Sequence, residues 1–183
     1  MGEETPEFYD EIHRNITPEL LENFYRVWHT ALSFINPSWR VLDVGCGRGE
    51  FGRLCVDKGC QFSGIDFSAE AVKQARRNTP NSVIYHGNIF ENTKLISSDK
   101  YEIITLTEFL EHIEEDLEII RLIPSTKKVF ISIPNYGGRG HVRFFSSLDE
   151  VYGRYGDMIN IETSSTLTFG PRSKIYCIYG VRK

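Results

Sequence analysis

One stretch constrains this chain more than any other: Val41-Leu42-Asp43-Val44-Gly45-Cys46-Gly47-Arg48-Gly49-Glu50-Phe51, an apolar strand that runs straight into alternating glycines. A buried strand followed by a glycine-rich turn and a helix is the corner at which an open α/β sheet brings its backbone against a nucleotide-like ligand. Glycine suits that corner because a Cβ would crowd the ligand or forbid the positive φ angles of the turn. The spacing narrows the ligand. A dinucleotide fingerprint requires G-x-G-x-x-G, whereas Gly45, Gly47 and Gly49 alternate and Glu50 stands where the third glycine would fall; no G-K-[ST] follows, which excludes a P-loop.

With Asp43 in front, the stretch reads D-x-G-x-G-x-G and resembles the first motif of the class I, Rossmann-like, S-adenosylmethionine (SAM) dependent methyltransferases. The resemblance implies that Asp43 and the turn from Gly45 through Cys46 and Gly47 to Gly49 hold the cationic amino-acid part of SAM. It implies further that Asp66, about 20 residues on at the end of Gln61-Phe62-Ser63-Gly64-Ile65-Asp66, binds the ribose, as an acidic residue at that separation does. Phe67 then packs near the adenine, and Asn88-Ile89 takes the place of the usual Asp and apolar pair that recognise it. An amide oxygen can still accept from the exocyclic amine. Thr107, at the end of the fourth strand, and Tyr9, in an amino-terminal segment that folds over the cofactor, complete the expected set.

The rest of the chain alternates strands and helices. Thr17-Pro18 opens a helix with Leu20, Phe24, Val27, Ala31 and Ile35 on one face. Ser68 caps the helix after Asp66, Val83 to Asn88 is a third strand, Tyr101 to Thr107 a continuously apolar fourth, and Lys127 to Pro134 a fifth. Ser147 and Glu150 have capping-box spacing, and Met158 to Phe169 and Lys174 to Arg182 read as a hairpin. The expected fold is a doubly wound α/β sheet with helices on both faces. By resemblance it has seven strands, mostly parallel, in the order 3-2-1-4-5-7-6 with strand 7 antiparallel. At 183 residues with 40% hydrophobic content the expectation is one domain over 1-183, residues 1-38 forming a lid and helix and 39-183 the Rossmann-like core.

A net charge of -4 argues against a general nucleic-acid binder. Cys46, Cys55, Cys60 and Cys177 form no C-x-x-C pair and no zinc spacing, and no apolar run reaches membrane-spanning length, so a cytoplasmic protein without membrane insertion is expected.

Methyl transfer from a sulfonium proceeds by in-line attack, so the acceptor must face the ends of strands four and five. Glu108, Glu111 and His112 lie there at i, i+3 and i+4, on one face if a helix begins by Glu108, and His141 follows in the loop after strand five. Together the four could hold a divalent cation that activates an acceptor hydroxyl; alternatively His112 or His141 serves as a metal-free general base, or the residues are structural. E-x-x-E-H with a later His resembles two branches of the family, the ubiquinone-biosynthesis O-methyltransferases and the small-RNA 3′-terminal 2′-O-methyltransferases, both associated with a metal site. Arg139, Arg143 and the aromatics around them read as an acceptor pocket for an anionic or sugar-like molecule. The expected function is SAM-dependent transfer, with S-adenosylhomocysteine (SAH) as product, to an oxygen of a small-molecule intermediate such as a sugar or quinol precursor. An RNA 2′-O-methyltransferase is the alternative within the enzyme class, and a non-catalytic SAM-binding module or partner subunit the alternative outside it.

Overall fold

The computed structural model describes residues 3–183; the side chains of residues 18–20, including Leu20, lie outside that description, as do Met1 and Gly2. In chain order the elements are α1 (Pro6–Asn15), α2 (Pro18–Ser33), β1 (Arg40–Val44), α3 (Glu50–Asp57), β2 (Gln61–Asp66), α4 (Ala69–Asn78), β3 (Val83–His86), α5 (Thr93–Ile96), β4 (Ile103–Thr107), α6 (Asp116–Leu122), β5 (Lys128–Pro134), α7 (Leu148–Tyr155), β6 (Ile159–Thr168) and β7 (Lys174–Arg182). The seven strands form one sheet in the order β3-β2-β1-β4-β5-β7-β6. The five from β3 to β5 are mutually parallel, and β7 runs antiparallel to both β5 and β6. The expected order and hand of strand 7 are thus met.

Period-two alternation along the strands sorts the core into two layers. On one face Leu42, Ile104, Ile131 and Ile178 pack with Ile96, Ile119, Ile120, Val151 and Tyr155, which brings α5, α6 and α7 to that side. On the other, Val41, Ile103, Phe130 and Cys177 meet Val27, Ala31, Phe51, Cys55 and Val72 from α2, α3 and α4. Strand β4 is buried at every position, as expected for a strand between two helical layers. Two of the expected caps are present: Ser68 accepts from the Ala71 amide and Ser147 from the Glu150 amide. All four cysteines are free and buried, and among the described residues no helix is long and apolar enough to cross a membrane.

One expectation fails. No regular helix begins at Glu108. Glu108 has φ of 48°, Leu110–His112 make a single 3₁₀ turn, and α6 starts only at Asp116. The left-handed step at Glu108 folds the chain back over the end of β4. Leu110 and Glu111 are buried, and Glu108, Glu111 and His112 do not share a helix face.

Candidate functional site

The main cavity, about 460 Å³, opens at the carboxyl ends of β1, β2 and β4 and beneath α1. This is where an open α/β sheet offers a ligand site, since the order of the strands reverses between β1 and β4. The glycine turn forms its floor. Gly49 has φ of 80°, and a Cβ there would lie 2.9 Å from the Ala75 Cα in the backbone of α4; at Gly45 it would lie 2.5 Å from the Phe109 ring. These two glycines are therefore demanded by the protein's own packing as well as by any ligand.

Two carboxylates face this cavity from the strand ends. Asp66 is buried and accepts from the amides of Gly47 and Ser68, both at 2.9 Å, so it fastens the turn to the end of β2. Its pKa is raised, burial being the main cause, against those amide bonds, which favour the charged form. Asp43 is buried beneath the turn and accepts a 2.7 Å bond from Thr105 on β4. Burial pushes its carboxyl up to about 8 despite that bond. Cys46, Phe67, Asn88, Ile89 and Thr107 line the same cavity. The Asn88 side-chain oxygen already accepts from the Phe90 amide at 2.9 Å, leaving its second lone pair for an incoming donor.

α1 roofs the cavity. Its Asp10 accepts from the Ser68 hydroxyl at 2.5 Å and the Glu70 amide at 3.0 Å, fixing α1 to the start of α4. Tyr9 packs against Phe67 with ring centroids 5.2 Å apart, and burial, followed by the charges of Glu111 and Glu4, raises its pKa. Sequence reading missed His13, which sits one helical turn beyond Tyr9, lines the cavity beside Gly47, and holds a buried Nδ1 without a hydrogen-bond partner. The i, i+4 spacing of Tyr9 and His13 was the available signal. Arg14, by contrast, points outward, its side chain 59% exposed and 3.9 Å from Asp10.

Beyond Tyr9 lies the second set. Glu111, His112 and His141 each present one ligand atom such that all three atoms lie within 4.8 Å of one another. Two donors roughly 2.1 Å from one ion are at most about 4.2 Å apart, so a small inward movement brings the trio to coordination distance. The His112 Nδ1 lies 2.9 Å from the Gly140 carbonyl and 2.8 Å from the Tyr9 hydroxyl, and the His141 Nδ1 lies 3.2 Å from the Tyr136 carbonyl. A carbonyl can only accept, so in each ring Nδ1 carries the hydrogen and the Nε2 lone pair is free, the arrangement that orients metal-ligating imidazoles. Burial lowers the His112 pKa to about 4 and moves that of His141 in the same direction. Both rings are neutral at pH 7. Glu111 is 1% exposed, and neither carboxylate oxygen has a hydrogen-bond partner. Its pKa is raised well above the usual range by burial and by Glu108.

Glu108, the fourth expected ligand, is not among them. Its positive φ turns the carboxylate toward β5, where it accepts from the Ser132 hydroxyl at 2.7 Å, and burial raises its pKa to about 7. Arg143 also departs from expectation. Its side chain is 13% exposed and turned inward, whereas Arg139 is 77% exposed, near Glu4 at 3.5 Å and over the Phe8 ring.

Comparison with known proteins identifies the family and the fold. Residues 12–150 match the profile of a methyltransferase domain family. A ubiquinone biosynthesis O-methyltransferase of Xanthomonas campestris pv. campestris is 33% identical over 109 residues, covering 58% of this chain and 46% of that protein. One of Hydrogenovibrio crunogenus is 28% identical over 168 residues, covering 78% and 66%. The chain thus spans about half the length of the first of these relatives and two-thirds of the second. Among solved structures, the N-methyltransferase NodS of Bradyrhizobium japonicum WM9, in complex with SAH, superposes with a TM-score of 0.68 at 14% identity, over 92% of this chain and 89% of that one. A SAM-dependent methyltransferase of Archaeoglobus fulgidus gives 0.66 at 18% identity, over 98% and 100%.

Proposed function

Since this chain belongs to the class I SAM-dependent methyltransferase family, we propose that it transfers the methyl group of SAM to an oxygen of a small-molecule biosynthetic intermediate, with a divalent cation held by Glu111, His112 and His141. The observation that carries the reading is the buried Glu111 carboxylate, without a hydrogen-bond partner, beside two imidazoles whose Nε2 lone pairs are free. A buried carboxylate with no donor is costly unless a cation satisfies it. The names of the relatives, O-methyltransferases of ubiquinone biosynthesis, support oxygen as the acceptor atom and a quinol-like precursor as its class.

In this reading the chain's residues divide the work. Asp66 holds the ribose hydroxyls, Phe67 and Ile89 enclose the adenine, and Asp43 with the turn from Gly45 to Gly49 faces the cationic methionyl part. Tyr9 closes over the sulfonium end and keeps water out. Glu111, His112 and His141 set the acceptor on the line of attack, opposite the leaving sulfur. A cation bound there supplies a Lewis acid that lowers the pKa of an acceptor hydroxyl. Glu108, whose pKa of about 7 places it near neutral pH, is positioned by Ser132 to take up the proton.

An RNA acceptor would need basic side chains for its phosphates, and of Arg139 and Arg143 the second is committed to the protein interior. The deciding experiment is transfer of labelled methyl from SAM to phenolic, catecholic and sugar acceptors, with manganese or with chelator. Expected is transfer to a hydroxyl acceptor that chelator abolishes. Full activity in chelator would remove the cation, and transfer to short RNA alone would replace the acceptor.

A further inference from the structure

Arg143 is two residues from His141, yet its guanidinium reaches back across the site to the chain after β4. One terminal nitrogen donates to the carbonyls of Leu110 and Ile113; the other donates to the carbonyl of Glu114 at 2.8 Å and lies 3.5 Å from Asp116. These carbonyls flank Glu111 and His112. The backbone adds a parallel tie, from the Val142 amide to the Glu111 carbonyl at 2.7 Å.

Asp116 anchors the arrangement from behind. It is fully buried and takes a two-pronged ion pair from Arg154 at 2.6 and 2.7 Å, a bond from the Tyr155 hydroxyl at 2.8 Å and one from the Leu117 amide at 2.9 Å. Its side chain is held by α7, so the charge that faces Arg143 cannot wander. A planar guanidinium with donors in a fixed fork suits a site that must serve several acceptors at once; an ammonium is a single point with no such geometry.

We propose that Arg143 is a positioning residue that sets the distance between the Glu111-His112 turn and His141, and so assembles the cation-holding trio from two separate strand ends. This rests on the reading of the trio given above. Without the guanidinium, the hydrogen bonds that join the two loops near the site, among the described residues, are those of the Val142 and Arg143 amides to Glu111 and of His112 to Gly140. The irregular 3₁₀ turn then has no side chain closing its carbonyls.

The test uses the full chain with Arg143→Lys and Arg143→Ala. Three quantities are measured: SAH affinity by calorimetry, the ring-nitrogen NMR signals of His112 and His141 in metal-free protein, and manganese affinity by electron paramagnetic resonance. The expected result for Arg143→Lys is SAH affinity within about twofold of wild type. Its His112 signals should move from an Nδ1–H tautomer toward averaged tautomers, and manganese affinity should fall about 10- to 100-fold. Unchanged imidazole signals and unchanged manganese affinity in both variants would overturn the proposal. So would a loss of SAH affinity equal to the loss for manganese, which marks a general folding role. If Arg143→Ala does not fold, Arg143→Lys decides. Should wild type bind no manganese, the cation reading fails by itself. The imidazole signals then decide for Arg143: a shift supports the positioning role and no shift ends it.

Discussion

The cofactor end and the acceptor end of the cavity are built in opposite ways. At the cofactor end the carboxylates are already served by the protein: Asp66 by two backbone amides and Asp43 by Thr105. At the acceptor end Glu111 has no partner for either oxygen, and each of two nearby imidazoles keeps a ring nitrogen within 4.8 Å of it. The first end is organised before its ligand arrives, so binding adds bonds without rearranging the turn. The second keeps both Glu111 oxygens unmet in a buried place, a cost that protonation lowers and an entering cation would offset. Substitutions should therefore act on one end at a time.

The largest expected effect is on the unserved end. Glu111→Gln removes the charge while keeping the volume, and should lower manganese binding and methyl transfer by at least about 100-fold. SAH affinity should stay within about twofold. Parallel loss of SAH affinity, measured by calorimetry, would erase the distinction between the ends.

Next comes Asp66→Ala. It deletes bonds from a charged acceptor to the ribose, about 1.5 to 3 kcal/mol or about 10- to 150-fold in SAH affinity, and frees the Gly47 amide as well. Manganese affinity measured without cofactor should not change. A variant that binds SAH as tightly as wild type would take Asp66 out of the site.

The smallest effect tests Asp43. Its carboxyl, raised to about 8 by burial, is protonated in the free protein at neutral pH, whereas a cationic cofactor favours the carboxylate. Binding should therefore release a proton. Affinity for SAM should then rise with pH by up to about tenfold per unit and level off above about 8. Calorimetry in buffers of different ionisation enthalpy reads the proton directly, and SAM binding at pH 7 with no proton exchange would show that Asp43 keeps its proton beneath the cofactor.

What could be read from the sequence follows the same division. The alternation of strands and helices, the turn from Gly45 to Gly49 and the places of Asp43 and Asp66 come from local patterns: a strand's burial, a glycine's φ, a fixed separation along one β-α-β unit; the order of the sheet follows only from the family resemblance. The acceptor end depends on contacts between distant segments. The expected Glu108 helix failed because Arg143, about 30 residues on, closes carbonyls that a helix would have used itself, leaving a 3₁₀ turn that buries Glu111. Arg143 looked like a pocket cation because its partner Asp116 is just as remote in sequence and buried. The α1 segment is hard to read from sequence for a related reason. None of its residues is fully buried, and its role lies in three polar side chains: Tyr9 and His13 line the cavity, and Asp10 holds the start of α4.

That sparse attachment has a thermodynamic consequence. α1 touches the cofactor end through Asp10 and His13 and the acceptor end through Tyr9 on His112. Ordering a helix none of whose residues is fully buried costs conformational entropy with little apolar gain to offset it. Whichever ligand first holds the helix down meets that cost, and the second binds to a segment already ordered. Two ligands that share few direct contacts should thereby favour each other, and by linkage the factor should be the same in both directions.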